Sequence, residues 1–128
     1  MHLIIDARCS NISLLMNHAT LSKWMLELCE VIGMTPQGKP IIQDFPFPGG
    51  SDVPSACLFI KESAIVVHPY PEFDYVFIDV FSCKKFDTDR AIKFIEDTLG
   101  VVERTTYLFQ RGIDMESKEP LRLIPVLD

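Results

Sequence analysis

The fold is decided by residues 55–82, which read Ser-Ala-Cys-Leu-Phe-Ile-Lys-Glu-Ser-Ala-Ile-Val-Val-His-Pro-Tyr-Pro-Glu-Phe-Asp-Tyr-Val-Phe-Ile-Asp-Val-Phe-Ser. Two β-rich runs, Ser55 to Ile60 and Ala64 to His68, are separated only by Lys61-Glu62-Ser63, which predicts a tight hairpin. We expect Pro69 and Pro71 to end the second run, because proline cannot donate to a sheet. The apolar run from Tyr75 to Ser82 predicts a further strand in a covered sheet.

The rest of the chain supplies two helices and three more strands around this hairpin. Apolar residues at helical spacing, each set followed by a glycine, predict the helices: one from roughly Leu21 to Ile32 with Thr20 or Ser22 as its N-cap, and one from Asp87 or Thr88 to Leu99. The strands are predicted at residues 2–7, 41–45 and 101–110. This order predicts one α+β domain over residues 1–128, with a mainly antiparallel sheet and two helices packed on one face.

Composition argues against several classes of protein. Twelve Lys and Arg face eighteen Asp and Glu, and the net charge of −6 opposes binding to nucleic acid. No apolar run approaches the roughly 20 residues of a membrane span and the N-terminus lacks a signal-peptide pattern, so we expect a cytoplasmic protein. The four cysteines form no CxxC pair and do not cluster with histidine, which argues against zinc and for reduced thiols.

Residues 45–54, Phe-Pro-Phe-Pro-Gly-Gly-Ser-Asp-Val-Pro, predict an irregular loop, because proline lacks a donor and glycine relaxes the backbone. The loop carries Phe45 and Phe47. An aromatic ring on a loop either covers the core or stacks on a flat ligand, and the residues alone leave both open.

Polar residues that could carry chemistry gather around the hairpin. Taken singly, each has an ordinary structural interpretation, as a turn residue, a strand-end residue or a small buried group. Their order and spacing, however, resemble S-adenosylmethionine decarboxylase of the short prokaryotic type. The matching segments are Glu62-Ser63, His68-Pro69-Tyr70-Pro71-Glu72 and Asp79-Val80-Phe81-Ser82-Cys83, with Ser55 at the family's processing serine, His2-Leu3 and Asp6 at its start, and Arg111-Gly112 at its last strand.

The resemblance implies that the chain makes its own pyruvoyl cofactor, without a metal. Ser63 would attack the carbonyl of Glu62 and cleave the chain into residues 1–62 and 63–128. His68 would exchange protons during this step, since imidazole does so near neutral pH, and Ser55 would stabilise the oxyanion. The pyruvoyl ketone would then take the substrate amine as a Schiff base, and Cys83 would donate a proton to the substrate α-carbon.

For substrate binding, the resemblance implies that Glu72 binds the ribose and that Phe47 stacks on the adenine, with Phe45 as an alternative. It also places Asp6 and Tyr70 among the substrate-binding residues. The sequence also departs from the family's pattern. Ala64 stands where many relatives have histidine or a hydroxyl residue, and Tyr70 replaces a frequent tryptophan. Lys84 replaces a glycine directly after the cysteine and adds a charge beside a pocket for a sulfonium.

The leading interpretation is therefore a self-processing decarboxylase that makes the aminopropyl donor for spermidine synthesis and forms a homodimer, as the family's short members do. One alternative keeps the chemistry but uses ornithine or arginine as substrate. Another is an uncleaved, non-catalytic homologue that serves as a subunit or regulator. Residues from 113 onward mix charge, proline and leucine, which predicts either a partly ordered tail or a partner contact.

Overall fold

The computed structural model describes residues 1–112 and 115–117, so the tail expected from residue 113 lies almost entirely outside the described residues. The described part contains six strands, two α-helices and two short 3-10 segments. In chain order these are β1 (His2–Cys9), a 3-10 segment (Ile12–Leu15), α1 (His18–Val31), β2 (Ile41–Phe45), β3 (Val53–Ile60), β4 (Ser63–Tyr70), a 3-10 segment (Pro71–Phe73), β5 (Tyr75–Ser82), α2 (Thr88–Leu99) and β6 (Val101–Phe109).

The six strands form one antiparallel sheet in the order β2-β3-β4-β5-β1-β6. Alternate residues of β1, β3, β4 and β5 point to one face, where they are buried with the apolar sides of α1 and α2 in a shared core, and the edge strands β2 and β6 contribute only partly buried side chains. This confirms the predicted α+β class, the antiparallel sheet and the helices on one face. No helix in the described part of the chain is long and apolar enough to cross a membrane.

The second face of the sheet carries no helix in residues 1–112, and we call it the open face. By the strand register it presents eight exposed large apolar side chains: Ile41, Phe45, Phe59, Val66, Tyr70, Phe77, Tyr107 and Phe109. Apolar patches of this extent usually mark a binding surface, because exposing them to water is costly. The open face is therefore the first place to look for a ligand or a partner.

Several predicted boundaries differ from the structure. The irregular loop expected at residues 45–54 is shorter, because Phe45 is the last residue of β2 and pairs with Val53, the first residue of β3. Helix α1 begins at His18, because the side chain of Asn17 accepts hydrogen bonds from the N–H groups of Ala19 and Thr20 and caps the helix one turn before Thr20 or Ser22 would. Strand β4 also continues through Pro69 to Tyr70, where we expected it to end. The pairing of β3 with β4 extends only to Val67, so Pro69 has no partner residue on β3. The main-chain N–H that proline lacks is therefore not needed on the β3 side.

Candidate active site

The turn between β3 and β4 brings together Glu62, Ser63 and Cys83. The turn has two residues, Lys61 and Glu62, and Ser63 is the first residue of β4. Ser63 pairs with Ser82 on β5, so Cys83 follows directly beside the turn. The N–H of Cys83 donates a hydrogen bond of 2.9 Å to the carbonyl oxygen of Glu62. The peptide that precedes Ser63 is thus already polarised by a fixed donor.

The side chain of Glu62 is buried, with 9% of its surface exposed, although it lies in a hairpin turn. Its Oε1 accepts a 3.1 Å hydrogen bond from the N–H of Thr35, and its Oε2 lies 3.8 Å from Nζ of Lys84. The Thr35 hydrogen bond, with the charges of Lys84 and Lys61 as smaller contributions, holds the pKa of the Glu62 carboxyl below its ordinary value. Glu62 is therefore held as a carboxylate.

Cys83 is exposed, and its thiol is free. It borders a cavity of about 250 Å³ that is also lined by Phe81, Arg111 and Met115. The guanidinium of Arg111 lies 3.9 Å from the centre of the Phe81 ring and donates a 3.3 Å hydrogen bond to Nδ1 of His2. A thiol beside an open cavity is available to a bound molecule, as a proton donor must be.

A second group of predicted site residues lies at the other end of β3 and β4. The Ser55 hydroxyl and Nδ1 of His68 are hydrogen-bonded across the two strands on the open face. They border a cavity of about 420 Å³ whose other walls are mainly aromatic rings and prolines. The Phe45 ring lies 6.1 Å from the His68 ring and the Phe47 ring 6.2 Å from the Tyr70 ring, both edge to face. The end of β2 and the loop that follows it thus contribute the rings of Phe45 and Phe47 to the wall of this cavity.

These two groups do not meet within one chain. Ser63 and His68 are five residues apart on an extended strand, which corresponds to about 16 Å. The odd spacing also places their side chains on opposite faces: Ser63 pairs with the buried Ser82, and His68 pairs with the exposed Phe77. The proton exchange that we predicted between His68 and Ser63, and the contact from Ser55, cannot be made directly inside one chain.

Two predicted substrate residues lie outside both cavities as far as the described residues show. Glu72 is exposed on the 3-10 segment Pro71–Phe73, next to the aromatic cavity but not in its wall. Asp6 lies on the open face of β1, one strand beyond Phe77. Partial burial, and to a smaller extent the charge of Asp79, raise the pKa of Asp6.

Three groups at the turn were not found from the sequence. They are the main-chain N–H of Cys83, the N–H of Thr35 and the ammonium of Lys84. A main-chain N–H donor cannot be recognised from the type of residue that carries it. Lys84 was noticed only as a charge near a pocket, since its partner is 22 positions away in sequence and is brought close by the β4–β5 pairing.

Several known proteins are similar to this chain. The family model for S-adenosylmethionine decarboxylase matches residues 1–112. The S-adenosylmethionine decarboxylase proenzyme of Clostridium botulinum (strain Loch Maree / Type A3) is 31% identical over 101 residues, which cover 77% of this chain and 81% of that protein. The proenzyme of Geobacillus sp. (strain WCH70) is 37% identical over 59 residues, 46% of this chain and about half, 48%, of that protein.

The crystal structure of the adenosylmethionine decarboxylase from Aquifex aeolicus VF5 has the same fold. The two structures superpose with a TM-score of 0.74 at 17% identity, over 94% of this chain and 95% of the other. The family match spans both ends of the sheet, including the turn at Ser63 and the cavity at His68. This chain belongs to the S-adenosylmethionine decarboxylase family.

Proposed function

We propose that this chain cleaves itself between Glu62 and Ser63 and, once cleaved, decarboxylates S-adenosylmethionine. The observation that carries the proposal is the hydrogen bond from Cys83 N–H to the Glu62 carbonyl, directly before a serine in a tight turn. A donor on that carbonyl stabilises the negative charge that develops when a hydroxyl attacks it. The family match and the names of the relatives support the same reaction.

The cleavage needs only atoms that the turn supplies and one water. Ser63 Oγ attacks the Glu62 carbonyl carbon, its proton passes to the departing nitrogen, and an ester replaces the peptide bond. Loss of the Ser63 α-proton then breaks the Cβ–Oγ bond, so that Glu62 leaves as a carboxylate. The dehydroalanine that remains becomes an imine and takes up water, which releases ammonia and leaves a pyruvoyl group at position 63.

The position of Cys83 fits a role at that group. A pyruvoyl group supplies the electron sink for decarboxylation that amino-acid side chains lack. Because residue 63 pairs with Ser82, the next residue, Cys83, lies beside it with an exposed thiol. We assign to Cys83 the protonation of the substrate α-carbon.

Ser55 and His68 serve, in this proposal, the turn of a second protomer. Two open faces can pack together around a two-fold axis that is perpendicular to the strands. This packing places the His68 end of one sheet over the turn end of the other. The exposed apolar side chains of the open face would be covered in such a dimer. The pair that is about 16 Å from its own Ser63 would then lie near the partner's Glu62–Ser63 peptide, which lies in the plane of the sheet and can be approached from the open face.

The aromatic cavity favours S-adenosylmethionine over ornithine or arginine. Its volume of about 420 Å³ and its walls of Phe45, Phe47 and Tyr70 suit a flat adenine ring. Ornithine and arginine end in a cation that needs a buried carboxylate partner, and the cavity wall contains none among the described residues. Release of CO₂ from the three substrates, measured side by side, tests this choice.

Intact mass spectrometry and denaturing gels test the cleavage. The wild-type chain should split into two pieces of nearly equal size, the larger one bearing a ketone that hydroxylamine traps. Ser63→Ala should stay intact, whereas Ser51→Ala, which changes an exposed loop serine, should cleave like the wild type. A wild-type chain that remains whole after long incubation would favour the non-catalytic homologue instead.

A further inference from the structure

The burial of Glu62 needs an explanation beyond its place before the cleaved bond. A glutamate in a two-residue hairpin turn ordinarily projects into water, and a buried one is almost always paired. Glu62 is 9% exposed, and both of its carboxylate oxygens have partners. The charged side chain of the turn therefore contacts the body of the protein and not the solvent.

Residues 35–37 form a short extended segment alongside the hairpin end. Thr35 N–H donates to the Glu62 carboxylate at 3.1 Å, and Thr35 carbonyl oxygen accepts from Lys61 N–H at 2.8 Å. Gln37 N–H donates to the carbonyl oxygen of Phe59 at 2.8 Å. These bonds fix the hairpin end on one side of the peptide that is to be cleaved.

Lys84 completes this arrangement from the other side. Its Nζ lies 3.8 Å from Glu62 Oε2 and 3.4 Å from the carbonyl oxygen of Gly33, to which it donates. Lys84 follows Cys83, whose N–H holds the Glu62 carbonyl. The side chain and the carbonyl of Glu62 are thus held by two consecutive residues of the same strand end.

We propose that Lys84 is a positioning residue for self-cleavage, which acts by holding the Glu62 carboxylate and so orienting the Glu62 carbonyl towards Ser63. This inference rests on the proposed function. It explains why a cation is tolerated beside the site: Lys84 is already paired with Glu62. Lys84 belongs to the 63–128 piece and Glu62 to the 1–62 piece, so the same ion pair joins the two products. The cleavage gives Glu62 a second negative charge, its new α-carboxylate, next to this cation.

The test follows the rate of cleavage after pulse synthesis in a cell-free system. Lys84→Gln should slow cleavage about two- to fivefold, the range that corresponds to a partly exposed ion pair. Lys84→Arg should cleave at close to the wild-type rate, because it keeps the charge. Lys85→Gln is the matched control, since it removes the neighbouring exposed lysine, and it should leave the rate unchanged.

A double-mutant cycle separates positioning through Glu62 from a general effect of charge. Glu62→Gln keeps an oxygen for the Thr35 N–H but removes the negative charge. In that background Lys84→Gln should have almost no further effect, because its partner is already neutral. Raising the ionic strength should shrink the effect of Lys84→Gln in the wild-type background.

The outcomes distinguish this inference from the proposed function. If the wild-type chain cleaves and Lys84→Gln cleaves equally fast, the positioning role is wrong and the decarboxylase proposal stands. The role is also wrong if Lys84→Gln slows both backgrounds by the same factor. If the wild-type chain itself never cleaves, both proposals fail.

Discussion

A mixed dimer tests whether the active site is shared between two protomers. One chain carries Ser63→Ala and cannot cleave itself, and the other carries His68→Ala. If His68 acts on the partner's turn, the mixed dimer contains one complete site, at the Ser63 of the second chain. If His68 acts within its own chain, the mixed dimer contains none.

The expected magnitude follows from the geometry and from random pairing. Within a chain the His68 ring lies about 16 Å along the strand from Ser63, which excludes direct proton exchange inside one chain, and the proposed function assigns this exchange to the partner's His68. Equal co-expression gives about half mixed dimers, each with one working site of two. We therefore expect roughly a quarter of the wild-type decarboxylation rate per protomer in the unfractionated mixture, and about half in the mixed dimers purified through both tags.

The assay uses chains with different tags, co-expressed and purified through both tags in succession. Release of CO₂ from S-adenosylmethionine measures turnover, and denaturing gels show which tagged chain has been cleaved. We expect the His68→Ala chain to be cleaved in the mixed dimer but to stay intact when expressed alone. No turnover in the doubly purified dimer, or full cleavage of His68→Ala alone, would refute the shared site.

Three further changes test single residues. Cys83→Ala should cleave, because the main-chain N–H is retained, yet turn over at least tenfold more slowly in the CO₂ assay, by the usual contribution of a general acid; undiminished turnover would remove the thiol from the proton-donor role. Asp6→Asn should raise the melting temperature at pH 7. Because the pKa of Asp6 is raised in the folded protein, its contribution to stability is fully present below the ordinary pKa of 3.8 and is lost as pH rises through the folded-state pKa. The gain in melting temperature from Asp6→Asn should therefore vanish in melts below pH 3.8. Gly100→Ala should lower the free energy of unfolding by about 1–3 kcal/mol in urea titrations, because Gly100 has φ +61° and an added Cβ would meet the Ser10 hydroxyl; an unchanged midpoint would contradict this.

The fold could be predicted from the sequence largely because its signals are local. The strand at Tyr75–Ser82 and the helix that begins after Asp87 were predicted at the observed residues. In that helix the Asp87 side chain accepts from Arg90 N–H and Gly100 ends the helix with a positive φ, both of which are readable patterns. The start of α1 was missed because Asn17, Thr20 and Ser22 are all competent caps, and local sequence does not choose between them.

The candidate site was predicted less completely, because its chemistry depends on main-chain groups and on distant pairs. The order and spacing of residues around the hairpin, through their resemblance to the family, drew attention to Ser63, Cys83, Ser55 and His68, and the family match covers all four. The hydrogen bond from Cys83 N–H to Glu62 has no sequence signature, since every residue except proline carries an N–H. It arises only when the register of β4 with β5 is fixed.

The separation of Ser63 from His68 was nevertheless implicit in the sequence. Once residues 63–68 are assigned to one strand, an interval of five residues spans about 16 Å and reverses the face of the sheet. The same argument applies to Ser55, because it is hydrogen-bonded to His68 across the strands. Under the proposed function, Ser63 and His68 cooperate but cannot meet in one strand, so the proposal assigns His68 to a second chain. The same spacing by which this chain resembles the family therefore leads, under the proposed function, to a site shared between two protomers.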